Sequence, residues 1–216
     1  MSQKSQNRLM VFAETNLIFD CIFDRDVNAE YLLSLARQKS IQLNIPRFAF
    51  AEAEGQSEVI IQRRIENLQL TLSNLRELRR SRHREEEMGQ LIGSITALVH
   101  QLESEINERK TAIERIEPSC YVIPYNMEIQ ARARLRAIAR NPPFAENDCV
   151  IYESILWFAE QNQDLNLAML FLTRNRRDFD YPTIHQELGE FGIGLFFEPG
   201  ECVRRVRQLL DPAQET

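Results

Sequence analysis

Four acidic residues stand where predicted strands give way to loops and helices. Glu14 directly follows an apolar run, and Glu52 and Asp178 lie shortly past two further runs of this kind. Asp148 lies in the first turn of the predicted helix that leads into the last of these strands. In an open parallel sheet, functional groups gather beyond the carboxyl ends of the strands. We therefore expect these four carboxylates to face one cleft.

Each acid also has a simpler explanation when it is considered alone. Asp148 could be a helix N-terminal acid that interacts with the helix dipole. Glu52 could be an exposed helical glutamate, and Asp178 could be a turn residue. Glu14 is harder to explain in this way, because a carboxylate beside a buried strand is costly unless a cation or hydrogen bonds satisfy it.

Several carboxylates in one cleft repel each other and take up protons unless a cation neutralises them. Oxygen ligands of this kind suit Mg²⁺ or Mn²⁺, which keep coordinated waters for substrate oxygens. A metal held in this way stabilises the attacking and leaving oxygens of a phosphodiester and activates a bound water. The four acids therefore predict a nuclease.

The elements that must position these acids follow an alternating order. Apolar runs predict strands at LMVFA, IQLNIP, LNLAMLFLT and GIGLFF. Segments between them carry apolar residues three and four positions apart, which is typical of amphipathic helices. Strands that alternate with helices predict a parallel sheet with helices on its faces, the α/β class.

Residues 57–117 differ from the rest of the chain. They contain no proline and are crowded with Arg, Glu, Gln and Leu. Two apolar stripes predict a helical hairpin of coiled-coil type, with its turn near Ser81 to Gly89. The stripes consist of Leu68, Leu72 and Leu75 in one arm and of Leu91, Ile95, Leu98, Leu102 and Ile106 in the other. The charges of this hairpin form either a solvated face or a partner surface.

Composition sets further bounds. The 216 residues are 44% hydrophobic and 27% charged, with a formal net charge of -6, so the prediction is one globular domain, 1–216, that carries the hairpin as an insertion. No apolar run approaches the roughly 20 residues that a membrane span needs. The amino terminus lacks the apolar core of a signal peptide. We therefore expect a cytoplasmic protein that does not enter membranes.

Two groups of arginines could contact nucleic acid. The first group, Arg174, Arg176 and Arg177, lies in the loop beside the predicted site, where guanidinium groups could clamp phosphates. The second group lies on one predicted helix and consists of Arg132, Arg134, Arg136 and Arg140. Alternatively, these side chains are solvated or pair with the many glutamates.

Four sequence motifs resemble those of the PIN-domain ribonucleases. VFAETNLIF resembles the first acidic motif, with Glu14 in the place of the usual Asp, and IPRFAFAEAE resembles the second, with Glu52. NDCVIYESIL resembles the third and supplies Asp148, and FLTRNRRDF resembles the fourth, with Asn175 and Asp178. The resemblance covers residues 8–55 and about 120–200, and the hairpin is an insertion relative to the compact family pattern.

The resemblance implies a three-layer α/β/α sandwich with a central parallel sheet and endonuclease activity on RNA that depends on Mg²⁺ or Mn²⁺. It also implies metal ligation by Glu14, Glu52, Asp148 and Asp178, with Asn175 completing the site or orienting water. Hydrogen bonds to these ligands would come from Thr15, Asn16 and Thr173. Homodimers, and toxins paired with antitoxins, occur in the family, so an antitoxin or another protein is a candidate partner at the hairpin.

The first motif departs from the family pattern. Glu14 is one methylene longer than Asp, and Mg²⁺ tolerates little displacement from octahedral geometry. The sequence therefore leaves open a nuclease, including a toxin or defence effector, and a weakened or inactive one. The alternative function is a catalytically inactive PIN-like scaffold that binds a protein partner through its hairpin.

Overall fold

The computed structural model of the chain describes residues 9–78, 85–163 and 167–211. Five parallel strands form one sheet in the order β3-β2-β1-β4-β5. They are β1 (Leu9–Ala13), β2 (Ile41–Pro46), β3 (Tyr121–Ile123), β4 (Met169–Leu172) and β5 (Ile193–Phe196). Helices flank this sheet, which confirms the predicted α/β/α sandwich.

Nine α-helices lie within the described residues. The first five are α1 (Thr15–Ile22), α2 (Val27–Arg37), α3 (Arg47–Leu78), α4 (Glu85–Ile116) and α5 (Met127–Ala139). The remaining four are α6 (Glu146–Gln161), α7 (Arg176–Phe179), α8 (Pro182–Glu190) and α9 (Pro199–Leu210). None of these helices is long and apolar enough to cross a membrane.

The centre of the sheet is apolar. All five residues of β1 and all four residues of β4 are buried, and the two strands pair directly, with Ala13 opposite Leu172. Continuous apolar runs of this kind are typical of parallel strands that are covered on both faces. Because the strands are parallel, the residues that follow Ala13 and Leu172 emerge at the same edge of the sheet.

The chain divides into two compact units. One unit comprises the described residues up to Glu52 and from Arg115 onward, and the other comprises the described part of Ala53–Glu114. The sequence predicts a single domain 1–216 with an insertion at 57–117, and this domain organisation stays a prediction.

The second unit contains most of α3 and α4, and its apolar stripe differs in part from the predicted one. Leu72 and Leu102 are buried as expected, whereas Leu91 and Leu98 are exposed and Val99 is buried instead. The predicted turn also needs correction, because Glu85 to Gly89 already belong to α4. The rest of that turn, Ser81 to Arg84, lies outside the described residues.

Candidate functional site

Glu14 explains why the central strand ends on a carboxylate. It is the N-cap of α1, and its Oε2 accepts a hydrogen bond from the Asn16 backbone N–H at 2.9 Å. Its Oε1 accepts hydrogen bonds from Asn16 Nδ2 at 2.7 Å, Thr173 Oγ1 at 3.2 Å and the Arg174 N–H at 3.4 Å. Only 5% of the residue is exposed, and both oxygens of its carboxylate accept hydrogen bonds from the protein.

The burial of Glu14 affects its titration. Removal from water raises the pKa of the Glu14 carboxyl above its ordinary value, and the hydrogen bonds from Asn16, Thr173 and Arg174 oppose this shift. The donors come from α1 and from the loop after β4, which is the strand paired with β1. Hydrogen bonding at this edge thus stabilises a charge that burial alone would disfavour.

Glu52 lies on α3 near the end of β2 and contacts two other elements. Its Oε2 accepts a hydrogen bond from Thr15 Oγ1 at 2.5 Å, and its Oε1 accepts one from Asn147 Nδ2 at 3.0 Å. Asn147 was not among the predicted site residues. Its position next to Asp148, in the first turn of α6, is the sequence signal that could have identified it.

Asp148 is held by the loop that follows β4. Its Oδ2 accepts a hydrogen bond from Asn175 Nδ2 at 3.1 Å, and the Asn175 backbone N–H donates to Thr173 Oγ1 at 3.0 Å. Thr173 in turn donates to Glu14. A continuous path of hydrogen bonds therefore joins Asp148 to Glu14.

The predicted acids influence one another electrostatically. Burial, together with three neighbouring negative charges, raises the pKa of Asp148 to about 7. These charges belong to Asp178, Glu14 and Glu52. Repulsion of this kind favours either a proton or a cation in the pocket.

The donor set suits a hard cation, because all of its ligand atoms would be carboxylate oxygens. Within the described residues, however, no three His, Cys, Asp or Glu side chains form a ready group of metal ligands. Glu14 and Glu52 instead accept hydrogen bonds from hydroxyl and amide donors. Metal binding would therefore exchange some of these bonds for bonds to the ion.

The arginine beside the site is tied to neighbouring helices. Arg174 Nε donates to Asp20 Oδ2 at 2.6 Å, and Arg174 Nη2 pairs with Asp26. Arg176 lies over the Phe197 ring, with its Nη2 3.8 Å from Glu198 Oε1. Arg176 and Arg177 are both exposed.

The arginines of α5 pair with carboxylates. Arg132 bonds to Glu128 and Glu160 at 2.7 and 2.9 Å. The Arg136 side chain is only 9% exposed and bonds to Glu153 at 2.5 Å and Glu187 at 2.9 Å. We therefore do not retain Arg132 and Arg136 in the RNA-binding surface proposed below.

Arg136→Met is expected to lower the free energy of unfolding by about 3 kcal/mol, because it leaves the buried Glu153 carboxylate without its partner. Glu187 is 27% exposed, which places the effect at the lower end of the usual range. Urea denaturation measures the loss. Arg134→Met, at an exposed position of the same helix, is the matched control, and equal stability of the two variants would show that the Arg136 network contributes nothing.

A PIN domain family model matches residues 11–179. The match covers more than half of the chain, and the chain therefore belongs to the PIN domain family. Members of this family are generally metal-dependent nucleases, and toxins occur among them.

The chain also shows a structural likeness to solved proteins. One chain in the crystal structure of VapBC2 from Rickettsia felis bound to a DNA fragment from their promoter is similar at 12% sequence identity. The alignment covers 87% of this chain and 98% of that chain, with a TM-score of 0.40, and it carries no functional inference. No protein of curated function matches the sequence.

Proposed function

We propose that this chain is an endoribonuclease that depends on Mg²⁺ or Mn²⁺ and cleaves RNA phosphodiesters. The observation that carries the proposal is the proximity of Asp148 to three other acids: burial raises the pKa of Asp148, and the charges of Asp178, Glu14 and Glu52 raise it further. Acids from four separate segments act on one another at the edge of the sheet where β1 and β4 end. This family uses such edges for phosphodiester chemistry, and the oxygen donors fit the cation.

The proposed ligands are Glu14, Glu52, Asp148 and Asp178. When bound, the metal would stabilise negative charge on the phosphodiester oxygens and lower the pKa of a bound water. Asn175 orients Asp148 through its amide, Thr15 orients Glu52 through its hydroxyl, and Asn16 and Thr173 hold Glu14. Hydrogen bonds of this kind fix the direction in which a carboxylate presents its free electron pairs.

Cleavage of mixed RNA in Mn²⁺ and in excess EDTA tests this proposal. We expect cleavage only with the metal, and crystals soaked in Mn²⁺ should show anomalous signal between Glu52 and Asp148. Metal-independent cleavage, or signal at a different location, would overturn the assignment of the site.

RNA binding is proposed for the exposed loop arginines. Arg176 and Arg177 follow Asn175, whose amide touches Asp148, so their guanidinium groups would meet phosphates beside the scissile bond. Arg174 has its guanidinium engaged by Asp20 and Asp26. Its proposed contribution to RNA binding is therefore to hold the loop in position.

Replacement of Arg176 and Arg177 together by Ala is expected to weaken RNA affinity about 10-fold and to reduce the slope of log affinity against log salt by about one or two. Fluorescence anisotropy with labelled RNA in EDTA, across a salt series, measures both quantities. The matched control replaces Arg204 and Arg205, which are exposed on α9. An unchanged affinity and slope in the Arg176 and Arg177 variant would reject this role.

A catalytically inactive scaffold is the second candidate function. Two observations favour it: both Glu14 oxygens already accept hydrogen bonds, and the hairpin exposes large apolar side chains. These are Val59, Leu70 and Leu78 on α3, and Leu91 and Leu98 on α4. Such side chains would bind a partner protein if they form a contiguous apolar patch.

The biological setting belongs to the same proposal. A toxin or defence effector with this activity would be held inactive by an antitoxin or another protein at the hairpin, and it would act on RNA in the cytoplasm. Homodimer formation is also proposed. Sedimentation of the chain alone tests for the dimer, and growth arrest of a bacterial host on expression tests for toxicity.

A further inference from the structure

A cavity of about 200 Å³ lies beside the proposed active site, between α5, α6 and the start of α3. Asn147 lines this cavity and also donates a hydrogen bond to Glu52 at 3.0 Å. The cavity therefore begins one side chain away from the proposed metal ligands. Its main lining residues are Phe48, Tyr125, Gln130, Arg134, Glu146 and Asn147.

The interior of the cavity is apolar and partly aromatic. Ala133 and Val150 form its buried base and belong to a core cluster against which Phe48 packs. The Phe48 and Tyr125 rings lie 6.1 Å apart, and 42% of Tyr125 is exposed. Proteins bind unpaired RNA bases by stacking them on exposed aromatic rings of this kind. At about 200 Å³, the cavity is below the roughly 300–1,000 Å³ of a drug-sized site, which suits a single planar ring system.

Two opposite charges border this cavity. Arg134 and Glu146 are both exposed, and neither forms a hydrogen bond or ion pair with another residue in the described part of the chain. A guanidinium group can donate to two adjacent acceptors, and a carboxylate can accept from two adjacent donors. The cavity therefore suits a base that carries both patterns.

Guanine is the base with both patterns. Its O6 and N7 are adjacent acceptors that match an arginine fork, and its N1–H and N2–H₂ are adjacent donors that match a carboxylate. Adenine and cytosine offer one exocyclic amino group without a second donor beside it. Uracil has a single N3–H between two carbonyl acceptors, which a carboxylate would repel.

We infer that this cavity binds a guanine base of single-stranded RNA, stacked on Tyr125 with Arg134 and Glu146 at its edges, next to the bond that is cut. The inference rests on the proposed function and assigns the sequence preference of the same site. Asn147 connects the two, since it lines the cavity and contacts Glu52.

Binding of short RNAs in the absence of metal tests the inference independently of catalysis. The probes are four fluorescein-labelled hexaribonucleotides, UUNUUU, that differ only at N, measured by anisotropy in EDTA at one salt concentration. The probe with N as guanosine is expected to bind roughly 5- to 100-fold more tightly than the other three. Equal affinities for all four probes would overturn the inference.

Three variants separate stacking from edge recognition. Glu146→Gln and Arg134→Met are expected to remove the guanosine preference while binding of the other probes persists. Tyr125→Ala is expected to lower the affinity for all four probes by roughly 5-fold or more, because stacking on an aromatic ring does not depend on which base is bound. The matched controls Glu201→Gln and Arg204→Met make the same changes at exposed positions of α9 and should keep the preference for guanosine. If the Glu146 and Arg134 variants also keep this preference, the inference is overturned.

Cleavage mapping distinguishes failure of the inference from failure of the proposed function. If mixed RNA is cut in Mn²⁺ at a fixed distance from guanosines, and this bias is lost in Glu146→Gln, both proposals are supported. Cutting without any base bias would overturn the guanine pocket and leave the nuclease intact. Selective binding of the guanosine probe without cleavage in any metal would support the pocket and overturn the nuclease.

Discussion

Asp148→Asn is expected to lower the rate of RNA cleavage on the order of 1,000-fold, while it raises the free energy of unfolding of the metal-free protein. The loss of rate follows from removal of a proposed metal ligand, whose effect on transition-state charge amounts to several kcal/mol. The gain in stability follows from removal of a buried charge and of the repulsion that this charge experiences from Asp178, Glu14 and Glu52. The Asn side chain keeps an oxygen that can accept the hydrogen bond from Asn175.

The stability effect has a defined pH dependence. The folded protein raises the pKa of Asp148 from 3.8 to about 7, so the folded state binds this proton more tightly than the unfolded chain does. Ionisation therefore costs stability progressively as the pH rises from about 4 to about 7, and the full cost is present above that range. Asp148→Asn should raise the free energy of unfolding by at most about 2 kcal/mol near pH 8 and should leave it unchanged near pH 4. The gain is limited because Asp148 is partly exposed to solvent, which screens its charge.

Urea denaturation in EDTA near pH 8 and near pH 4 measures the effect of the substitution on the free energy of unfolding. A second series, with Mn²⁺ in place of EDTA, measures the stabilisation by the metal. Mn²⁺ should stabilise the unaltered protein by RT ln(1 + c/Kd), where c is the free metal concentration, an effect that grows with the logarithm of that concentration, and it should stabilise the variant far less. Asp24→Asn is the matched control, because Asp24 is exposed and has a φ of 48°, a conformation that Asn also adopts readily. A variant that is less stable than the parent near pH 8 in EDTA would contradict the electrostatic account of the pocket.

The strands that position the site could be predicted because their signals are local. LMVFA and IQLNIP are apolar runs that end where β1 and β2 end, and the run LNLAMLFLT contains β4, which pairs with β1. Leu165 and Asn166 of that run lie outside the described residues. β3, with three residues, is too short to give a reliable periodic signal, and the sequence did not predict it.

The hairpin stripe was predicted only in part because two phases of the apolar pattern overlap. Leu91, Ile95, Leu98 and Leu102 fit one phase, and Ile92, Ile95, Val99 and Leu102 fit another. Both phases have steps of three and four residues, so periodicity alone does not distinguish them. The structure buries Val99 and exposes Leu98. Which of the two is buried depends on which face of α4 packs against the rest of its unit.

The sequence suggested glutamates as alternative partners of the arginines, but it could not identify which glutamates these are. Glu153 and Glu187 lie 17 and 51 positions from Arg136, so no local pattern links them. The same holds for Asn147 and Glu52, which lie 95 positions apart. Residue type suggested what these side chains could do, whereas tertiary packing decided which partner each one has.

The residue that departs most from the family motif, Glu14, has an internal comparison within the same chain. Asp26 is followed at the same spacing by Asn28 and caps α2 as Glu14 caps α1. A single oxygen of Asp26, Oδ1, accepts from both the Asn28 N–H at 2.8 Å and Asn28 Nδ2 at 3.1 Å. Its second oxygen remains available for Arg174.

Glu14 distributes the equivalent bonds over both of its oxygens, because its longer side chain also reaches Thr173 and the Arg174 N–H. The comparison with Asp26 indicates that Glu14→Asp would keep the helix cap with one oxygen and free the other for the metal. A change of about 1 Å in the position of a catalytic group can alter the rate on the order of 100-fold. We therefore expect Glu14→Asp to cleave RNA on the order of 100-fold faster in Mn²⁺ than the chain with Glu14.

Single-turnover cleavage by the two proteins in Mn²⁺ measures this gain, with circular dichroism to verify that the helix cap is intact. Glu14→Gln is the control: it keeps the length of the side chain, loses its charge and should remain slow. Faster cleavage by the Asp variant would assign the chain to the nucleases whose first acid limits the rate. Silence of both the unaltered chain and the Asp variant would instead favour the scaffold, because no position of the first carboxylate would then restore a metal-dependent reaction.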